Sequence, residues 1–304
     1  MSRAIIPTNE VSFSLKGKAD AGPPATGARA VHGVAEIRFA KRHGTTRLAH
    51  LYERDPLRVL FPQPEAGEPP QAVIVTTSGG LVAGDRIDIA IAVGDGAAAH
   101  VTASAAEKIY RSRDATTEVE QSLAAGEGAL LEFLPPETIL FDGARLRRRT
   151  IIDLAVSAGF LGGEIVIFGR RARGELFAHG FLHGVWEIWR ERSLIWGDAL
   201  HLDGDITAII DDPACFAGAA GFASLIWASG AGDLTSFIDG ARALQDATTA
   251  DGVRGGITIV NGLLVARWLG FDDMALRRAY TGLACHLRAA AFNLPRRLPR
   301  MWQV

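Results

Sequence analysis

The sequence predicts an α+β protein dominated by β-strands, and three observations carry that expectation. Short segments that alternate apolar and polar residues recur along most of the chain. Turn residues separate them about every ten positions, a rhythm shared by sandwiches, barrels and β-solenoids. Glycine is abundant, at 34 of 304 residues, which suits many tight turns because glycine takes positive φ without a Cβ clash. Helical spacing of apolar residues is confined to the region after residue 233.

Residues 1–28 mix Pro7, Gly17, Gly22, Pro23, Pro24 and Gly27 with scattered charge and read as a loose leader. Residues 29–304 then form a single β-rich domain with C-terminal helices and a tail, since no later linker divides them. From Val31 the pattern tightens. Residues 71–77 are short and β-branched and read as a buried strand. Gly79, Gly80 and Gly84 follow and allow a sharp turn. Residues 88–93 and 99–103 are further strands, separated by Gly94-Asp95-Gly96. In 150–157, Ile152, Leu154 and Val156 fall on one face, and Asp153 and Ser157 on the other. Residues 181–194 read as one long alternating strand, with Trp186 and Ile188 opposite Glu187 and Trp189. Residues 214–232 carry no charge and approach membrane-spanning length. Alanine and glycine dominate them and Ser224 and Ser229 interrupt them, so a buried strand between small-residue turns is expected.

Two helices complete the chain. Asp233 caps Leu234 to Ala247, with Leu234, Phe237, Ile238, Ala241 and Leu244 at helical spacing. Asp272 or Asp273 caps a second helix to Ala291. Its apolar stripe is Leu276, Ala279, Tyr280, Leu283, Leu287 and Ala290, with Arg277, Arg278 and Arg288 outside it. The tail from Pro295 carries Arg296, Arg297, Arg300 and Trp302. So many long-range strand pairings predict slow, aggregation-prone folding without partners.

A hydrophobic content of 48% with 22% charged residues is that of a soluble globular protein. The net charge of −2 provides no field to gather nucleic acid or an anionic membrane. Cys215 and Cys285 do not make a disulfide framework, and no apolar signal-peptide core follows Arg3. A reducing cytoplasm is the expected setting.

Several motifs could carry chemistry. Ser78–Arg86 is glycine-rich, but a phosphate loop needs a Lys followed by Ser or Thr opening a helix. Here Asp85 and Arg86 lead into alternating strand residues, so a structural turn is expected, with Asp85 as an Asx-type turn former. Glu107-Lys108-Ile109-Tyr110-Arg111 reads as a solvated charged face. Glu137 and Asp142 invite a β-rich hydrolase with two catalytic carboxylates, although nothing in the sequence fixes their separation. Arg145, Arg147 and Arg149 share one strand face with Arg148 opposite, which suits an acidic protein surface or internal pairing with Glu164 and Glu175. Trp186, Trp189 and Trp196 would be the platform of a carbohydrate-binding module if exposed. His179 and His183 have the spacing of a helical chelate. The alternation around them argues strand, where they stand about 13 Å apart and cannot share an ion. Cys285 and His286 diverge on a helix, and the cysteine is expected in the core.

Four of these pieces stand in a particular order: Thr76–Arg86, Ala105–Ser112, Pro136–Arg145 and Phe168–Glu175, ahead of the ending Pro299-Arg300-Met301-Trp302. In order and spacing, from about residue 30 to the C-terminus, the chain resembles the urease accessory protein family UreD, also called UreH. The resemblance implies a large stack of antiparallel and helically wound β-strands with a few helices. It implies an assembly factor and not an enzyme: a scaffold that holds apo-urease and receives Ni²⁺ from the GTPase UreG through the adaptor UreF. The metal would be transient, passing along an internal water-filled passage through single carboxylates, with no tightly bound cofactor. On this reading Asp85, Glu137, Asp142, Glu164 and Glu175 line the passage or belong to a buried network. In the network reading they pair with Arg86, Arg145, Arg170, Arg171 and Arg173. The helices and Arg296, Arg297, Arg300 and Trp302 would face the adaptor.

Overall fold

The computed structural model describes residues 30–230, 234–249 and 251–302. The expected leader and the expected cap at Asp233 lie outside these residues. Among the described residues, seventeen strands and three α-helices follow in chain order. The first strands are β1 (His32–Arg42), β2 (Thr45–Arg54), β3 (Leu57–Leu60), β4 (Gln71–Thr76), β5 (Arg86–Val93) and β6 (Ala98–Ala103). Next come β7 (Glu107–Ile109), β8 (Thr117–Ala125), β9 (Leu130–Phe133), β10 (Thr138–Leu140), β11 (Arg145–Leu154) and β12 (Gly159–Phe168). They are followed by β13 (His179–Arg190), β14 (Ser193–Asp205), α1 (Ile206–Asp211), β15 (Gly221–Ala228) and α2 (Thr235–Thr249). The last elements are β16 (Val253–Val260), β17 (Leu263–Gly270) and α3 (Asp273–Phe292).

The chain winds. Strands β1, β5, β8, β11 and β13 run parallel to one another in a seven-stranded sheet ordered β14-β13-β11-β8-β5-β1-β2. Strands β4, β6, β9 and β12 run parallel in the second sheet, ordered β16-β17-β15-β12-β9-β6-β4-β3. Successive long strands therefore alternate between sheets, as in a β-solenoid. Antiparallel pairing is confined to the flanking hairpins and the edges. The expected helical winding is present, while the central pairing is parallel, because each short connection carries the chain across to the other sheet.

The two ends of the stack differ. At one end the connections are four-residue turns, 94–97, 126–129 and 155–158, which sit on one another. Gly126 N–H donates to Val93 O at 2.9 Å, and Ala155 N–H to Ala125 O at 2.9 Å. At the other end the chain makes the longer excursions that hold all four sequence motifs. These excursions pair among themselves. Leu81 bridges Ile109, Ile109 aligns with Leu140, and Leu140 with Phe168. All four are buried, so each motif contributes one apolar rung to a shared ladder.

Alternation fills the space between the sheets. Ile37, Ile91, Leu123, Ile152 and Ile188 of the first sheet meet Val101, Leu131, Phe160 and Val166 of the second. A second core lies on the far side of the second sheet, where Leu161, Leu225 and Trp227 pack under α2 and α3. Asp272 caps α3 by accepting from Ala275 N–H at 2.8 Å, and Asn293 ends it in the left-handed conformation.

Three local expectations are corrected. Residues 181–194 are not one strand: β13 ends at Arg190, and Glu191 and Arg192, both at positive φ, reverse the chain into β14. Val156 lies in the turn after β11 and is exposed, since the strand ends at Leu154. On α3, Ala290 is exposed and Arg288 is completely buried, because the carboxylates of Glu132 and Glu68 await it under the helix. The uncharged segment around Ser224 is the buried central strand β15, as expected. Among the described residues no helix is long and apolar enough to cross a membrane.

Candidate functional site

Between the sheets, under the motif end, lies a cavity of about 80 Å³ whose walls are not uniformly apolar. At roughly 15 Å³ per water it has room for about five. Apolar walls come from Ile74, Ile89, Val119, Phe133 and Leu146; polar groups come from Thr76, Thr102, Glu107, Gln121, Thr138, Arg148 and Glu164. The backbone topology brings them together. Glu107 and Thr138 are register neighbours on β7 and β10, and β10 pairs with β12, which carries Glu164. Arg148 reaches in from β11 of the opposite sheet.

The two cavity carboxylates are held differently. Glu164 forms an ion pair with Arg148 Nη2, and Arg148 Nη1 donates to Thr138 Oγ1 at 2.8 Å. This pair links the two sheets across the interior and neutralises Glu164. Glu107 has no such arginine; its Oε2 accepts a hydrogen bond from Thr76 Oγ1 at 2.6 Å. Burial pushes its carboxyl above the ordinary carboxylate value, with the Thr76 hydrogen bond opposing. Gln121 is fixed by Thr150, whose Oγ1 donates to Gln121 Oε1 at 2.8 Å. Such a chamber can admit a hydrated cation and offer it oxygen ligands one or two at a time.

The carboxylates expected in the passage are mostly elsewhere. Asp85 closes its turn, accepting from Val31 N–H at 3.0 Å and Val82 N–H at 2.9 Å. It closes a turn as expected, but by accepting from a residue three positions earlier and from the residue just before β1 rather than as an Asx-type turn former. Glu137 binds Arg277 of α3 at 2.9 and 3.0 Å. Asp142 pairs with Arg111 at 3.0 Å and accepts from the N–H groups of Ala178 and His179. Glu175 pairs with Arg170 and accepts from Asp142 N–H at 3.1 Å. Among the five, only Glu164 lines the cavity. Glu107, expected on a solvated face, is the one that lines it in addition, since its neighbour Lys108 takes the exposed position.

The arginine pairings also differ from expectation, apart from Arg170 with Glu175. Arg86 pairs with Asp88 at 3.1 Å. Arg145 lies over the Phe181 ring at 5.1 Å. Arg171 donates to the carbonyls of Gly218 and Ala219, and Arg173 is exposed beside it. Arg147 and Arg149 share the outer face, with Glu118 and Glu187 as partners, and Arg148 points inward as the alternation requires. Glu137 and Asp142, the two carboxylates considered for hydrolysis, do not line this cavity and are held by different arginines, Arg277 and Arg111. Trp186 is buried and Trp189 and Trp196 are half-buried, which removes the sugar platform. His179 and His183 lie on a strand, as their surroundings implied.

In the tail, Arg296 and Arg300 are exposed and Arg297 pairs with Glu65 at 2.7 Å. Trp302 is not a surface anchor. It is 6% exposed, stacks on Tyr280 with centroids 5.9 Å apart, and donates from Nε1 to Leu134 O at 3.1 Å. The Arg277 guanidinium sits 4.9 Å from the centre of its ring. Trp302→Ala is accordingly expected to destabilise the fold by about 3–5 kcal/mol, read as a lowered denaturation midpoint. A loss below about 1 kcal/mol would mean that the tail is not part of the core.

The family model for the UreD urease accessory protein matches residues 31–303. The chain belongs to the UreD family. Relatives named urease accessory protein UreD agree with this along nearly their whole length. The protein from Magnetococcus marinus is 42% identical over 90% of this chain and 94% of its own. That from Methylobacterium sp. (strain 4-46) is 42% identical over 86% of this chain and 90% of its own, and that from Rhodopseudomonas palustris (strain HaA2) is 40% identical over 88% and 91%. Within this UreD chain, the four motifs prove to be the excursions that pair at one end of the solenoid, over the polar cavity. The missed residues, Glu107 and Arg148, both sit in segments the sequence had singled out. Alternation already set Arg148 opposite its neighbours; what the sequence did not carry is which face of each strand turns to the interior, since that depends on the packing of the two sheets.

Proposed function

We propose that this UreD family member is a non-catalytic urease maturation factor of the cytoplasm. It holds apo-urease, binds the UreF adaptor and the UreG GTPase, and conducts Ni²⁺ through its interior to the urease active site. The observation that supports conduction is the polar cavity between the sheets, with Glu107 carrying a carboxylate that no arginine neutralises. Nickel is the cargo and is held only in passing: one carboxylate with water and hydroxyls binds a divalent cation weakly enough to release it. Glu137, Asp142 and Glu175, each engaged by an arginine, serve as the frame of the motif end. The exposed Arg296 and Arg300 are the part of the tail left to face the adaptor, since Trp302 is buried.

The test is co-expression of the urease subunits and the accessory partners with and without this chain, followed by co-purification, nickel content and urease activity. The chain is expected to purify with apo-urease, and nickel content and activity to fall at least tenfold without it. If urease matures equally well in its absence, the reading is wrong.

A further inference from the structure

The outer face of the seven-stranded sheet carries a feature that conduction through the interior does not use. His183 of β13 and His201 of β14 are direct partners in the antiparallel register. Their rings lie side by side, with centroids 5.5 Å apart and planes at 68°. Phe181 packs edge-on against His201 at 5.5 Å and fixes that ring from the other side. His183 Nδ1 is buried and has no hydrogen-bond partner among the described residues.

Two imidazoles that bind one ion at nitrogen distances of about 2.0–2.1 Å place their ring centres about 5 Å apart at a tetrahedral angle. The observed spacing is close to this, and a half-turn of a ring about Cβ–Cγ exchanges each nitrogen with a carbon while keeping the shape of the side chain, so either edge can turn a nitrogen toward the ion. We propose that His183 and His201 form a two-imidazole surface site for a first-row divalent cation such as Ni²⁺, Cu²⁺ or Zn²⁺. Imidazole favours these ions over Mg²⁺ and Ca²⁺. The remaining coordination positions are taken by water, which keeps the site exchangeable. It lies on the opposite face of β13 from Trp186, which lines the cavity, so it is separate from the interior chamber.

One neighbour opposes binding. Arg147 stands in register beside His183, with its guanidinium turned onto the Phe181 ring at 5.7 Å and 3.8 Å from Glu118. Its charge weakens the site without occupying it.

The experiment is titration of the full-length chain with Ni²⁺, together with Cu²⁺ electron paramagnetic resonance to count bound nitrogens. One saturable site is expected, with two equivalent nitrogens in the spectrum. His183→Ala and His201→Ala should each weaken it by about tenfold or more, since one of two nitrogen ligands is lost. His179→Ala, which changes a histidine 79% exposed and outside the pair, should leave it unchanged. Arg147→Gln should tighten it by roughly five-fold. Glu107→Gln and Glu164→Gln should not alter this site, which distinguishes it from the interior passage. His179 and His201 are exposed and His183 is half-buried, and circular dichroism checks that each variant is folded. Titration curves and spectra that are unchanged in His183→Ala and His201→Ala would overturn the proposal, as would loss in only one of the two.

Discussion

Arg288→Ala is expected to lower stability by about 3–5 kcal/mol, the usual consequence of stripping one partner from a buried ion pair. Arg288 is completely buried on α3, and its guanidinium meets four groups at once. Nε donates to Glu132 Oε1 at 2.7 Å and Nη2 to Glu132 Oε2 at 3.2 Å. Glu68 forms a second ion pair, and the carbonyls of Pro295 and Arg297 accept from Nη1. The side chain thus joins the second sheet, the loop before β4, and the tail to one helix. Its removal takes the arginine from both buried carboxylates and leaves Glu132 with His100 as its remaining side-chain partner. Thermal denaturation should show a midpoint lowered by about 10 °C, at roughly 2–4 °C per kcal/mol for a chain of this size. Arg288→Met keeps the stem and should lose nearly as much, whereas adding Glu132→Gln should restore part of the loss.

The pH dependence has a definite sign. Burial raises the Glu132 carboxyl, but the hydrogen bond and charge of His100, and then Arg288, outweigh it and hold it below its ordinary value of 4.5. A depressed folded value means that the stabilisation is complete above about pH 4.5 and is lost as pH falls through the folded value. The gap between wild type and Arg288→Ala should therefore narrow in acid. A variant that melts with the wild type at pH 7 would show that this cluster does not hold α3 and the tail.

Glu107→Gln separates conduction from folding. The carboxyl of Glu107 is raised by burial, so the charged form is disfavoured in the folded chain. The folded state binds the extra proton between 4.5 and the raised value, and stability falls as pH rises through that window. Glutamine keeps the shape and can still accept from Thr76 while removing the charge. The variant should be at least as stable as wild type at pH 7, and the difference should vanish below about pH 4.5. Yet urease activation should fall by about tenfold or more, since the cavity loses its one carboxylate that no arginine neutralises. Full activation by a folded Glu107→Gln chain would remove Glu107 from the path of the metal. Reduced activation together with a lowered melting point would instead assign it a structural role.

Much of the fold was legible from local signals. Residues 71–76, 88–93, 99–103 and 150–154 are strands where alternation and β-branching placed them, and Asp272 caps α3 as its side chain suggested. The reversal at Glu191-Arg192 was not legible, because neither residue is a usual turn former at positive φ. Nor was the parallel pairing of the stack, since alternation reports a buried face and not the direction of the neighbouring strand.

By itself the sequence determined the strand rhythm, the two long C-terminal helices and the order of four motifs that belong to the UreD family. These are properties of residues close together in the chain, where steric preference and periodicity act. Only the tertiary structure decided which charges are buried and with whom. Glu137 meets Arg277 across 140 positions, and Glu132 meets Arg288 across 156. Glu107 faces a cavity lined by residues of eleven strands, β3 to β13, and Trp302 turns inward because Tyr280 and Leu134 receive it. A carboxylate's environment is set by whatever the fold brings within a few ångströms, and neighbours along the chain do not specify that.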